Sequence, residues 1–165
     1  MKPASLKNIR KEFKDKGIFY TPNALAKKLK SYVDISPKTV YDPTCGAGNL
    51  LNVFENDINK YGQELDPEQL SLIDSKNFVG EPGDTLKNDK FVGEKFDCIV
   101  ANPPFSLKWN PDELKNDERF INLPVMPPPS KADWAFMAHV LYHLADDGVA
   151  VVLGFPGILY RGQRE

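Results

Sequence analysis

Asn102, Pro103, Pro104 and Phe105 follow directly on the apolar run Phe96-Asp97-Cys98-Ile99-Val100-Ala101. That run has the length and composition of a buried strand. The two prolines end it, because neither can donate to a ladder and each fixes its own φ. The corner so formed presents an amide side chain, a proline carbonyl outside the ladder and an aromatic face. An amino group on a flat ring needs two acceptors and a surface to stack on. Asn102 Oδ1 and the Pro103 carbonyl can accept. Phe105 can stack, worth about 1–3 kcal/mol per base in comparable sites. A plainer reading stands beside this one: a proline-terminated strand with a capping Asn and a core Phe.

Three further polar signals accompany the corner. The β-prone run Thr39-Val40-Tyr41 leads into Asp42-Pro43-Thr44-Cys45-Gly46-Ala47-Gly48-Asn49, and an apolar helical pattern starts at Leu50. Strand, Gly-rich turn and helix in this order make a nucleotide-binding unit, since glycines allow a tight turn and close approach of a ligand to the main chain. Lys60 to Asp66 reads as the second strand. Glu64 lies about 20 residues beyond the first, the offset at which an acid takes up a ribose diol; otherwise it is an exposed loop carboxylate. Asn77 to Gly80 predicts a third strand, with a turn at Gly83-Asp84-Thr85-Leu86. Asp84 either accepts from the exocyclic amine of an adenine ring or caps a helix.

The elements that position these residues alternate. Thr21 before Pro22 predicts an N-cap and a helix over 22–33, with Phe19 and Tyr20 also able to serve as a hydrophobic staple. A helix is expected over 67–76. The stretch 106–131 is long, polar and Pro-rich, the mark of a functional or mobile loop. Ala132 to Leu144 predicts a helix whose Trp134, Phe136, Met137, Val140, Leu141 and Leu144 are mostly core. His139 and His143 share a face at i, i+4 without a third ligand nearby, and read as surface or interface histidines. Asp146-Asp147-Gly148 is then a turn and 149–153 a buried strand. Alternation of this kind predicts an α/β fold with a mostly parallel sheet covered on both faces. Asp42, Gly46, Glu64, Asp84 and Asn102 all fall at the C-terminal ends of strands, the edge where such sheets bind ligands.

Composition narrows the class. At 165 residues the chain suits one domain, and with 27% charged residues and a net charge of −2 no bulk basicity announces nucleic acid. Lysines and arginines do crowd residues 1–30, where they suit phosphate contact or a solvated helix face. Cys45 and Cys98 lack metal-ligand spacing and read as reduced thiols of a cytoplasmic protein. No apolar run approaches membrane-spanning length.

Phe19–Pro22, Asp42–Asn49, Glu64, Asp84 and Asn102–Phe105, in this order, resemble the adenine-specific (N6) DNA methyltransferases that use S-adenosylmethionine. The similarity is closest to the modification subunit of type I restriction-modification systems. Arg119-Phe120, Lys131 to Phe136 and Gly157 to Gly162 resemble later segments of that subfamily. The resemblance implies a Rossmann-like catalytic domain over 19–165, after a basic N-terminal segment 1–18. It implies that Phe19, Tyr20, Thr21, Pro22, Asp42, Thr44, Gly46, Gly48, Asn49, Glu64, Asp84 and Asn102 contact S-adenosylmethionine, and that Asn102, Pro103, Pro104 and Phe105 hold a flipped adenine. No metal is implied. DNA, and the specificity and restriction subunits of a type I system, are the implied partners. The fold so implied has two more strands after residue 155, so the chain reads as C-terminally incomplete, with a sheet edge open to another subunit or copy. Two alternatives remain: a methyltransferase of rRNA bases or protein glutamine, and a non-catalytic cofactor-binding module.

Overall fold

The computed structural model describes residues 20–105 and 107–159. Five parallel strands form one sheet in the order β3-β2-β1-β4-β5. They are β1 (Thr39–Asp42), β2 (Asn59–Glu64), β3 (Phe78–Pro82), β4 (Phe96–Ala101) and β5 (Leu144–Val152). Helix α1 (Asn23–Lys30) precedes β1, α2 (Pro67–Leu70) joins β2 to β3, and α3 (Asp133–His143) joins β4 to β5. The parallel α/β expectation therefore holds. The strand order reverses between β1 and β4, which opens a crevice at their carboxyl ends.

Both faces of the sheet are covered, as parallel sheets require. Val40, Cys98 and Val100 pack with Ala26 and Leu29 of α1 and with Leu50, Leu51 and Phe54. Tyr41, Phe96 and Ile99 pack with Phe91 and with Val140 of α3. A third cluster joins Ala132, Ala135, Phe136 and Ala138 to Leu86, Leu114 and Phe120.

Several local expectations are corrected. Thr21 is not a helix cap: Pro22 occupies the cap position with no side-chain cap, and α1 ends at Lys30. The helix expected from Leu50 is a single 3₁₀ turn, Leu51–Val53. Leu51 in it and Leu50 and Phe54 at its two ends are all buried. The helix expected over 67–76 stops at Leu70. It has a sound start, with Pro67 at the first position and the Asp66 side chain accepting from Glu68 N–H at 3.0 Å. Ser71 Oγ then donates back to Glu68 O at 2.7 Å, a local side chain–backbone bond of the kind that competes with continued helix.

The stretch after Ser106 is no structureless loop. Its neck is closed by Ala132 N–H to Leu107 O at 2.8 Å and Trp109 N–H to Pro129 O at 3.0 Å. Inside, Trp109, Leu123 and Met126 pack against the cluster of Leu114 and Phe120, and Asp112–Leu114 forms a 3₁₀ turn. At the far end, Asp146-Asp147-Gly148 is a bulge rather than a turn. Pairing passes from Phe96 with Leu144 directly to Cys98 with Val149, and the intervening residues of β5 are extruded. On α3, Trp134 and Leu141 are exposed rather than core, whereas His139 and His143 are fully buried.

Candidate functional site

The carboxyl ends of β1, β2, β3 and β4 open into one cavity of about 290 Å³, close to the smallest small-molecule pockets (about 300 Å³). Tyr20, Thr21, Asp42, Thr44, Gly46, Asn49, Glu64, Asp84, Asn102, Pro103, Pro104 and Phe105 line it. Two expected residues stand behind it instead. Pro22 starts α1, accepting from Ala26 N–H at 2.9 Å, and Gly48 shapes the turn through its N–H to Cys45 O at 2.8 Å. Phe19 lies outside the described residues.

The turn after β1 is built on left-handed glycines. Gly46 and Gly48 have φ of +51° and +79°, a region costly to residues with a Cβ. With that geometry the Gly46 N–H points to Glu64 Oε2 at 2.9 Å. Glu64 Oε1 accepts from Asp66 N–H at 3.0 Å. The carboxylate at the tip of β2 is thus oriented by backbone from two loops and keeps free lone pairs on both oxygens.

Asp42 is buried at the end of β1 and accepts from Thr44 N–H at 3.0 Å. Burial raises its pKa to about 7, with the charge of Glu64 adding and the Thr44 N–H opposing. The Thr44 hydroxyl lies against the same carboxylate and also opposes the rise. Acceptors at Asp42 and Glu64 on the two sides of the Gly46 turn fit a ligand with a cationic end and a diol.

A strap covers the cavity. Tyr20 Oη donates to Gln69 Oε1 of α2 at 2.9 Å. Asn49 Nδ2 donates to Thr21 O at 3.0 Å, and Asn102 Nδ2 donates to Thr21 Oγ1 at 3.1 Å. The residues before α1 are thereby tied to α2 and to the loops after β1 and β4. The Thr21 hydroxyl fixes the Asn102 amide through its N–H side, so Oδ1 is the acceptor left for a substrate amine. Phe105 is 47% exposed, an aromatic face still open to a flat ring.

Asp84 serves its own turn. Its Oδ1 accepts from Leu86 N–H at 3.0 Å and Lys87 N–H at 3.2 Å, leaving Oδ2 to a ligand. The Thr85 hydroxyl donates to Pro43 O. Sequence reasoning missed Gln69, Asp66 and Thr85 as cavity residues. Asp66 and Thr85 each follow a strand-end acid closely, a signal present in the pattern; Gln69 had none, since its role depends on Tyr20.

Asp89, His139 and His143 bring one ligand atom each within 4.8 Å of one another. Their atoms are already engaged. His143 Nε2 meets Asp89 Oδ2 at 2.9 Å and its Nδ1 meets Glu94 O at 2.9 Å. His139 meets Arg119 through Nδ1 at 2.9 Å and Tyr41 Oη through Nε2 at 3.0 Å. With the Arg119 guanidinium also 3.9 Å from Asp89 Oδ2, the cluster is a charge-compensated core network that disfavours a cation. Both thiols are buried and pushed up by burial, Cys98 to about 12 and Cys45 further, so neither supplies a thiolate nucleophile.

A parallel sheet reversing at β1 and β4, with a Gly-rich turn, an acid on β2 and a polar corner on β4, defines a Rossmann-like methyltransferase fold. Known proteins agree. A family model for N-6 DNA methylase matches residues 6–165, and the chain belongs to that family. The methylase subunit of the type I restriction enzyme MpnII from Mycoplasma pneumoniae is 34% identical over 92% of this chain and 34% of its own length. The MjaIX counterpart from Methanocaldococcus jannaschii is 31% identical over 90% of this chain and 30% of its length. The crystal structure of a type I restriction-modification methyltransferase subunit from Streptococcus thermophilus superposes with a TM-score of 0.77 at 31% identity, covering 88% of this chain and 36% of that one. The chain spans about a third of the length of these relatives. Among the described residues no helix is long and apolar enough to cross a membrane.

Proposed function

We propose that this chain carries the catalytic core of a DNA adenine methyltransferase, moving a methyl group from S-adenosylmethionine to the exocyclic amine of a flipped adenine. The observation that supports it most is the pairing of Asn102 with Thr21 at the rim of a cavity whose other walls are Asp42, Gly46, Glu64 and Asp84. The cofactor supplies a methyl group on a sulfonium, an electrophile that needs no metal. Glu64 would hold the ribose hydroxyls, Asp84 the adenine edge, and Asp42 with Thr44 and the Tyr20–Pro22 strap the methionine end. A target base is unreachable inside a duplex and has to leave the stack, at a few kcal/mol. Asn102 Oδ1 and the Pro103 carbonyl would then accept from its amino group. That draws the nitrogen towards a pyramidal form with a usable lone pair. Phe105 would stack the ring and aim it in line.

The type I relatives are subunits of restriction enzymes, and we take a specificity subunit as the partner that chooses the DNA sequence. The test is Asn102→Ala in the assembled enzyme. Cofactor affinity should stay within about threefold, while methyl transfer to duplex DNA falls at least 100-fold, since an acceptor made only to the reacting amine is lost. Undiminished transfer would remove Asn102 from the mechanism. Equal or better transfer to rRNA or to protein glutamine would move the substrate assignment.

A further inference from the structure

Arg119 is the most completely engaged side chain described. It is buried, at 5% exposure, and does not line the cavity. Nε donates to Asp117 Oδ1 at 2.8 Å and Nη2 to Asp117 Oδ2 at 2.7 Å. Nη2 also donates to Leu86 O at 2.7 Å. Nη1 donates to Thr85 O at 2.7 Å and to His139 Nδ1 at 2.9 Å. All five N–H groups of the guanidinium are thereby used.

These bonds converge on the turn that follows β3. Thr85 and Leu86 offer their carbonyls to Arg119, and the Thr85 hydroxyl reaches forward to Pro43 O. The same turn is capped by Asp84 Oδ1 through Leu86 N–H and Lys87 N–H. Its place is therefore set from behind by Arg119 and from in front by the loop after β1. The second arm runs through His139, which burial and the neighbouring His143 hold neutral. Its Nδ1 accepts from Arg119, so its Nε2–H donates to the hydroxyl of Tyr41, the residue before Asp42.

We propose that Arg119 is a positioning residue for cofactor selection: by clamping the Thr85 and Leu86 carbonyls it sets the Asp84 wall that reads the cofactor's nucleobase. This rests on the cofactor reading above. The excursion that leaves the Asn102–Phe105 corner thus reaches back to shape the cofactor end of the cavity. Lysine cannot replace this residue, because three rotatable donors on a point charge cannot serve a carboxylate fork, two carbonyls and an imidazole together.

The test separates the nucleobase from the rest of the ligand. S-adenosylhomocysteine and its hypoxanthine analogue, with oxygen in place of the 6-amino group, are titrated into wild type, Arg119→Lys and Asp117→Asn, with thermal melts alongside. Wild type should prefer the adenine form at least tenfold. Arg119→Lys should lose most of that preference, binding the adenine form about tenfold more weakly and the hypoxanthine form nearly unchanged. Asp117→Asn keeps the arginine, guards against a misfolded lysine variant, and should lose preference in the same direction by less. A purely structural role would weaken both ligands by one factor, and preserved preference in both variants overturns the proposal. Wild type binding neither ligand would instead sink the cofactor reading, and the proposal with it.

Discussion

Asp42 holds its proton to a higher pH than a strand-end carboxylate usually does. Burial sets its pKa at about 7, so near neutrality it is about half ionised. S-adenosylmethionine brings a sulfonium and an ammonium, and cations favour the charged carboxylate. Binding should therefore expel a proton. Calorimetry at pH 7 in two buffers of different ionisation enthalpy should show about half a proton released per cofactor. The release should grow at pH 6, vanish near pH 8.5 and be absent in Asp42→Asn. Release unchanged in that variant would place the titrating group elsewhere.

At the scale of elements, the strap matters more than the helix it introduces. Thr21 lies before α1 and spends its hydroxyl on Asn102, its carbonyl on Asn49. Thr21→Val keeps the β-branched shape and removes only the acceptor. The Asn102 amide then loses the bond that orients it, worth about 1–3 kcal/mol when a buried partner is left unpaired. Turnover should fall about tenfold or more, cofactor affinity should change less, and Thr21→Ser should restore most of the rate. A valine variant as fast as wild type would show that the substrate alone orients Asn102. The strands and the polar corner were legible in the sequence because their signals are local: a run of apolar residues, then a proline or a glycine. Helix lengths after Gly48 and Pro67 were not, since tertiary packing and short polar residues cut them to one turn. Arg119 was legible only as part of a family segment, not as the partner of the turn after β3. Its partners Thr85 and Leu86 lie 34 and 33 positions away, within a stretch whose polarity reads as loop. The two histidines failed for the same reason: their partners Asp89, Arg119 and Tyr41 sit on other elements.

For the whole molecule, the buried ionisable groups pull stability in opposite directions with pH. Asp42 has a folded pKa raised above its unfolded value near 4, so the folded state binds the extra proton between about pH 4 and 7. Stability from this group is present below that window and is lost as pH rises through it. His139 acts the other way. Its folded pKa is held well below its unfolded value by burial and by His143, so its contribution is present above about pH 6.5 and is lost as pH falls. Asp89 and Asp117 feel burial pushing them up, yet His143 and Arg119 outweigh it and hold both below the usual carboxylate value. Their support is lost only in stronger acid. Over pH 4.5–6.5 the Asp42 and His139 slopes oppose, and wild type should show a shallow profile. Substitution separates them. Asp42→Asn should gain on wild type as pH rises from about 4 to 7, by up to about 1.4 kcal/mol per pH unit, read from urea midpoints at fixed m. His139→Gln should lose ground most near neutrality, where the neutral imidazole is fully favoured. Bound S-adenosylmethionine would reverse the first effect, because its cationic groups would compensate the Asp42 carboxylate and favour its ionised form. At saturation the gain of Asp42→Asn should shrink or change sign at pH 7, and a gain that persists undiminished would mean that the cofactor's charge does not reach Asp42.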